Sequence, residues 1–368
     1  MNQSYLATVG QYNRFKLQFR FDSIPHTFTN TARTLYTQIS PGVYTLPLIV
    51  RNNLQAASSS GTAAQISNSL PTYVATQVVP GENFIVAAIT RKAGTGLASF
   101  DITGNWNVSF LFSREKEFGT RPIGFLFNSS PSASASSSPG TVPNLQSPGT
   151  GVEMPEPIHY FNNTVKAMSE YGRKDWGLQV GYTGSIFENR INALVVENPF
   201  ATADVGVQII PPGNGCTPTP PALNCSVGAI PARGQMDLYP DNRAHYLNAA
   251  GAFDLTRRVR VMGTVNPGWL RQNDPFLPYT LNSAVTGLAP LPASSLGGDK
   301  QTLAMNWTAV SNPLKNVQLA AKYRHYDYNN NTPIRTFTPV LGDVIGANLT
   351  ATGQAVPDPV ENKPFGYN

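Results

Sequence analysis

Strict alternation of apolar and polar side chains is the feature that most constrains the fold. In one stretch Phe15, Leu17, Phe19 and Phe21 alternate with Lys16, Gln18, Arg20 and Asp22. Successive side chains of a β-strand point to opposite faces, so this pattern gives a strand with one apolar and one charged face. Similar runs begin at Trp106 and Trp176, and helical periodicity does not recur. The pattern predicts an all-β protein.

The lengths of the connections between these runs indicate the topology. Short connections at 103–105, 172–174, 254–258 and 312–316 alternate with long ones at about 118–157, 198–242 and 272–300 and with everything after 329. In an up-and-down meander, alternate connections fall at the same end of the sheet. Outer-membrane barrels sort their loops in this way, with short periplasmic turns and long extracellular loops. We therefore predict an antiparallel up-and-down transmembrane β-barrel, one domain over residues 1–368.

The apolar faces could pack on a soluble core or contact lipid. The runs are about 10–12 residues long, which suits a tilted strand that crosses the hydrocarbon layer. Aromatic residues lie near several of their ends, as in interfacial belts: Tyr12, Trp106, Tyr160, Tyr171, Trp176, Trp269 and Tyr328. We predict a lipid-facing set of Phe15, Leu17, Phe19, Phe21, Trp106, Val108, Phe110, Phe112, Trp176, Leu178 and Val180. The polar residues Lys16, Gln18, Arg20, Asp22, Lys322 and Arg324 are predicted to face the lumen or a partner inside it.

Several classes of protein are disfavoured by composition. The longest apolar runs are far shorter than the roughly 20 residues of a membrane helix. The net charge is only +5, and no run of Lys and Arg suggests a nucleic-acid surface. The four His are scattered without metal-ligand spacing, and neither a Walker loop nor a Gly-x-Ser-x-Gly motif occurs. We expect neither an enzyme nor a metal site. Cys-x-x-Cys-His is absent, so this chain attaches no c-type haem itself.

Two cysteines, Cys216 and Cys225, lie in one Pro-rich stretch. The favoured interpretation is a disulfide that closes a small surface loop, which would imply an oxidising compartment. The alternative is a pair of unpaired thiols.

Five phrases occur in order along the chain: FGTRPIG at 118–124, YGRKDW at 171–176, LYPDNRA at 238–244, QNDPFLPYT at 272–280 and YRHYDY at 323–328. Together they resemble the MtrB/PioB family of decahaem-associated outer-membrane proteins, from about residue 12 to about residue 332. The Asn, Asp and Pro of the third and fourth phrases are typical of loop formation, which we favour over partner contact.

The resemblance implies a large barrel in the bacterial outer membrane that sheathes a periplasmic multihaem c-type cytochrome. Electrons would pass between the periplasm and the exterior, to or from an outer-surface multihaem cytochrome or a mineral. The expected partners are these cytochromes and outer-membrane lipid, with haem carried by the cytochrome and no cofactor bound by this chain. A diffusion or substrate-uptake channel is the first alternative, and a secreted β-sandwich or adhesin is the second.

The sequence also differs from the family pattern. Residues 1–10 lack the positive start and apolar core expected of a leader, and residues 364–368 lack the strand with a terminal aromatic residue expected of bacterial barrels. The resemblance implies family chains nearly twice as long. We therefore expect part of a barrel, with ten to fourteen strands.

Overall fold

The computed structural model describes residues 2–59, 71–127, 150–199, 201–206, 208–210, 225–227, 231–337, 348–349 and 355–356. In chain order, the first elements are β1 (Gln3–Gln11), β2 (Phe15–Thr34), β3 (Thr37–Ser40), β4 (Val43–Thr45), α1 (Leu48–Ser59), a π-helical turn (Val74–Val78), a 3-10 turn (Val79–Gly81), β5 (Asn83–Thr103), β6 (Trp106–Phe127), β7 (Thr150–Gly172) and β8 (Trp176–Asn189). They are followed by β9 (Ala193–Glu197), β10 (Gln208–Ile210), β11 (Cys225–Val227), β12 (Arg233–Asp237), β13 (Asn242–Thr256), β14 (Val259–Gln272), β15 (Gly298–Leu314), β16 (Val317–Asn330), β17 (Asn348–Leu349) and β18 (Ala355–Val356). No helix in these ranges is long and apolar enough to cross a membrane.

One large sheet dominates the structure. Its ten strands lie in the order β1-β2-β5-β6-β7-β8-β13-β14-β15-β16. All neighbouring strands in it are antiparallel, and each pairs with the strand that follows it within the sheet. The predicted antiparallel up-and-down architecture is therefore confirmed. In the described part of the chain the sheet is open, with β1 and β16 at its two edges.

Connections of different length lie at opposite ends of this sheet. Tight turns join the strands at one end, at residues 12–14, 104–105, 173–175, 257–258 and 315–316. Asn13 and Asn316 have φ angles of 54° and 74°, a left-handed conformation that Asn tolerates better than most residues. The connections at the other end cover 35–82, 128–149, 190–241 and 273–297. We call the two ends the tight-turn end and the long-loop end.

The strands are longer than the sequence suggested. β5, β6 and β7 have 21, 22 and 23 residues, against the expected 10–12. The predicted loop at 118–157 is accordingly wrong at both ends, because residues 118–127 and 150–157 belong to β6 and β7. Pro122 and Pro155, which favour a loop interpretation, lie opposite each other in the ladder, and pairing continues to Phe127 and Thr150. The predicted loop at 198–242 contains the short strands β10, β11 and β12, and the predicted loop at 272–300 lies at 273–297.

The extensions of β6 and β7 form part of a small second layer at the long-loop end. A four-stranded sheet in the order β12-β9-β4-β3 packs there. Its buried cluster consists of Tyr36, Tyr44, Leu46, Phe125, Met154, Ile191, Leu194, Val196 and Leu238. We call this sheet and cluster the cap. Burial of these side chains against one another explains why β6 and β7 continue beyond the length that a bilayer requires.

Gly119 lies where β6 enters the cap. Its φ is +137°, and an added Cβ would collide with the backbone carbonyl oxygen of Ala88 on β5. This position therefore needs glycine for both its conformation and the close approach of the two strands.

We expect Gly119→Ala to lower the free energy of unfolding by about 1–3 kcal/mol, because strain at a positive φ adds to the steric conflict. Gly124→Ala, on the same strand, is the matched control, since an added Cβ there meets no atom within 4 Å. Urea unfolding of both variants in lipid vesicles measures the difference. Equal midpoints for the two variants would contradict this role of Gly119.

Candidate functional site: the two faces of the sheet

The strand register determines which side chains share a face, because directly opposite residues on neighbouring strands lie on the same side of a sheet. One such row runs Phe15, Phe100, Val108, Ser169 and Val180. We call this side the apolar face. Following the register places the whole predicted lipid-facing set on it: Phe15, Leu17, Phe19, Phe21, Trp106, Val108, Phe110, Phe112, Trp176, Leu178 and Val180. Several of these side chains are exposed, with Phe110 at 52%. Their contact with lipid remains a prediction.

The opposite side, the polar face, carries the second predicted set. Lys16, Gln18, Arg20 and Asp22 lie on it near one edge, and Lys322 and Arg324 lie on it near the other edge. The structure thus puts these six residues on one face without bringing the two groups into contact.

Short-range polar contacts cover much of the polar face. Arg20 pairs with Asp22 at 2.6 Å, and Ser4 donates a hydrogen bond to the same carboxylate at 2.6 Å. Arg91 pairs with Glu115 at 2.8 Å. This surface is chemically suited to water or to a polar partner.

A hollow of about 770 Å³ lies at the tight-turn end, and side chains of the polar face contribute much of its lining. Five strands supply Asn107, Glu170, Gln179, Thr264 and Asn306 to it. This hollow gives the polar face a depression that water or a polar partner can fill.

Aromatic residues line the tight-turn end of the apolar face. Trp106 and Tyr171 are directly opposite each other, and the rings of Tyr171 and Trp176 lie 5.2 Å apart. Trp176 in turn stacks on Phe253 at 6.2 Å. Such a row matches the aromatic girdle of a membrane barrel.

The other aromatic residues predicted to form interfacial belts do not all lie on the apolar face. Trp269 lies on the apolar face toward the long-loop end, opposite His245, and Tyr12 lies in a tight turn. Tyr160 and Tyr328 lie on the polar face, so the belt prediction is wrong for these two. Tyr160 is buried against Phe187.

Buried charges hold the cap together. The Arg51 guanidinium pairs with Glu197 at 3.0 Å and donates hydrogen bonds to the carbonyl oxygens of Asn198 and Ala232 at 3.2 and 3.1 Å. Arg121 donates two hydrogen bonds to Glu156, at 2.6 and 2.9 Å. Hydrogen bonding to this carboxylate raises the pKa of Arg121.

Two buried tyrosines complete this network. Tyr44 donates its hydroxyl hydrogen to the Pro155 carbonyl at 2.6 Å, and burial raises the pKa of Tyr44 to about 12. Tyr36 donates to the Glu197 carbonyl at 3.0 Å, and burial raises its pKa further. Both phenols therefore stay protonated and act as donors at neutral pH.

Aspartates join the long connections to one another. Asp241 accepts a hydrogen bond from the Asn189 amide at 2.6 Å, and its own amide donates to Asp274 at 2.8 Å. These contacts fit the loop-forming role expected for the phrases at 238–244 and 272–280. Asp204 accepts hydrogen bonds from Ala232 and Ser283. Burial alone would raise the pKa of Asp204, but these hydrogen bonds lower it.

Sequence reasoning missed Arg51 and Asp204, since their partners lie far away in the chain and no local pattern marks them. The predicted disulfide cannot be placed, because Cys216 lies outside the described residues. Within the described ranges, no three His, Cys, Asp or Glu side chains group closely enough to hold a metal ion.

The arrangement of apolar and polar faces agrees with the comparison to known families. A family model described as "Putative outer membrane beta-barrel porin, MtrB/PioB" matches residues 1–365. The chain belongs to the MtrB/PioB family. Family membership places it among outer-membrane β-barrel proteins.

A relative that is named after this family also matches the chain. The chain is 23% identical over 337 residues to "Outer membrane protein MtrB" of Shewanella baltica (strain OS185), a match that covers 91% of this chain and 38% of the relative. This MtrB/PioB chain thus spans less than half the length of that relative.

Two solved structures of the ferric-catecholate import receptor Fiu from E. coli K12 also match. The closed form gives a TM-score of 0.35 at 12% identity, over 87% of this chain and 42% of the receptor. The open form gives 0.33 at 13% identity, over 87% and 46%.

Proposed function

We propose that this MtrB/PioB chain supplies wall strands of a barrel that sheathes a multihaem c-type cytochrome and holds it across the outer membrane. The observation that carries the proposal is the ten-stranded sheet, which has one apolar face and one polar face. A bilayer insulates, so a chain of haems needs a sleeve that is apolar toward lipid and polar toward the cytochrome surface. The haem belongs to the partner, because this sequence contains no haem-attachment motif of the c type.

The edges of the sheet set a condition for this function. Unpaired backbone groups at β1 and β16 are costly in hydrocarbon, so both edges need partners there. Eight-stranded barrels are filled by side chains, whereas 16–18 strands leave an open channel. A lumen that admits a cytochrome therefore requires a wall with more than the ten strands of this sheet.

The polar face offers cations for recognition of the partner. Lys16, Lys322 and Arg324 are exposed there, and none of them forms an ion pair within the described residues. We propose that they contact acidic groups of the cytochrome. An outer-surface cytochrome would then approach from the long-loop end.

Purification of the full-length protein from outer membranes tests this function. Haem staining should reveal a co-purified multihaem cytochrome, and the combined reversal Lys16→Glu, Lys322→Glu and Arg324→Glu should reduce its yield by about tenfold or more, since each charged contact contributes on the order of 1 kcal/mol. The matched control reverses Arg14, Arg257 and Lys315, which lie exposed in tight turns, and should retain the partner. Intact barrel without any haem-stained partner would refute the proposal.

A diffusion channel is the second candidate. The hollow on the polar face and the family description as a porin favour it. Conductance of the purified protein in planar bilayers without cytochrome, with no cytochrome captured from cells, would select this function. A secreted sandwich would need a second sheet on the apolar face, and the described strands provide none.

A further inference from the structure

A groove of about 580 Å³ on the apolar face has small residues at its centre. Strand β5 contributes Gly96 and Ala98 to the groove, between Leu17 and Phe19 on one side and the Phe110–Phe112 stretch of β6 on the other. Gly94 continues the same row of small residues on β5. A Cβ added at Gly94 or Gly96 would meet no atom within 4 Å, so the row lies open. The groove has the shape and chemistry to hold an acyl chain.

Three cations lie directly beyond the long-loop end of this groove. Lys92 lies on β5 between Gly94 and the long-loop end, directly opposite Lys116 of β6. Arg114 lies one position nearer the groove on the same face, opposite Gly94. Like charges that face each other across two strands destabilise a sheet unless a counter-charge is present. This arrangement therefore calls for an anion.

Aromatic rings hold these cations in place. The ammonium groups of Lys92 and Lys116 lie 5.3 and 5.1 Å from the centre of the Phe118 ring. The Arg114 guanidinium lies 4.4 Å from the centre of the Phe161 ring. Rings of this kind orient cations without neutralising them.

Other charged residues near these three cations form ion pairs with one another. On the polar face of the same strands, Arg91 pairs with Glu115. On the apolar face, Glu188 pairs with Arg190 at 2.7 Å. Within the described residues, Lys92, Arg114 and Lys116 form no ion pair. Among the described residues, a cluster of three unpaired cations thus lies on the apolar face.

The position along the strands identifies the ligand class. From the tight-turn end, the apolar side chains of β6 on this face are Trp106, Val108, Phe110 and Phe112, and Arg114 and Lys116 follow them toward the long-loop end. The long-loop end of an outer-membrane barrel faces the exterior. The cations therefore lie at the headgroup level of the outer leaflet, which in these membranes consists of phosphorylated glycolipid.

We propose that this groove and its three cations bind lipopolysaccharide, with an acyl chain over Gly94, Gly96 and Ala98 and a phosphate of the glucosamine headgroup on Lys92, Arg114 and Lys116. The site depends on the orientation of the strands in the outer membrane. It is independent of what occupies the lumen.

The first test removes the cations. The full-length protein is purified in mild detergent with the changes Lys92→Gln, Arg114→Gln and Lys116→Gln, and bound lipopolysaccharide is counted by native mass spectrometry. We expect retention to fall on the order of fivefold for each cation removed. The control, Arg14→Gln, Arg257→Gln and Lys315→Gln, removes the same charge from exposed tight turns at the other end of the sheet and should retain wild-type levels. Equal retention by both triple variants would overturn the proposal.

The second test separates phosphate from acyl recognition. The wild type should bind bisphosphorylated lipid A and should bind the dephosphorylated form far more weakly. Equal binding of phosphatidylglycerol and bisphosphorylated lipid A would overturn the assignment to lipopolysaccharide. Filling the groove with Gly94→Val and Gly96→Val should reduce lipid A binding at least severalfold. Gly124→Val, also in open space, should not reduce it. Heat-modifiable migration in gels confirms that each variant is folded, and undiminished binding by the folded groove variant would contradict the acyl site.

Discussion

Phe110→Arg should destabilise the sheet in the outer membrane and reduce its insertion. Phe110 lies near the middle of the apolar stretch of β6 and is 52% exposed, so the introduced charge would face the surroundings of the sheet. An arginine on the lipid face of a barrel near the bilayer centre costs about 2–4 kcal/mol. We expect a lower urea midpoint in vesicles and less protein in the outer-membrane fraction.

The neighbouring residue provides the matched control. Ser109 lies at almost the same depth on the polar face, so Ser109→Arg places the same charge toward the lumen. It should change the unfolding free energy by less than about 1 kcal/mol. If Ser109→Arg is the more damaging change, the assignment of the two faces is reversed.

Arg51→Met should disrupt the cap. The Arg51 side chain is 8% exposed and serves Glu197 together with backbone carbonyls of the connection that follows β9. Loss of one partner from a buried pair leaves an uncompensated charge, which typically costs about 3–5 kcal/mol. Limited proteolysis of intact cells should then cut the long connections, while the ten-stranded sheet stays resistant.

Arg190→Met is the comparison for this change. Arg190 also pairs with a carboxylate, that of Glu188, but its side chain is 53% exposed. A surface pair of this kind contributes about 0–1 kcal/mol. Equal proteolysis of both variants would show that burial of the Arg51 pair does not stabilise the cap.

The wall of the barrel was predictable from local pattern. In β2 the alternation of Phe and Leu with Lys, Gln and Arg defines strand and face without any partner, because the two-residue period is a property of the strand itself. The order of short and long connections then gives the meander. Both features come from residues that are close in sequence.

The cap was not predictable, because its stability comes from residues distant in sequence. Arg51 and Glu197 pair across 145 intervening positions. Pro122 and Pro155 make the extensions of β6 and β7 resemble loop in the sequence. The cation cluster is hidden for a similar reason. Lys92 and Lys116 become neighbours only through the register of two strands, so a search for consecutive basic residues overlooks them.

Tryptophan fluorescence offers the most direct test of the orientation of the sheet. The chain has four tryptophans, and Trp106, Trp176, Trp269 and Trp307 all lie on the apolar face. In vesicles that contain lipids with brominated acyl chains, their emission should be strongly quenched, whereas aqueous acrylamide should have little effect. Strong quenching by acrylamide with no response to brominated lipid would show that the apolar face does not contact the membrane.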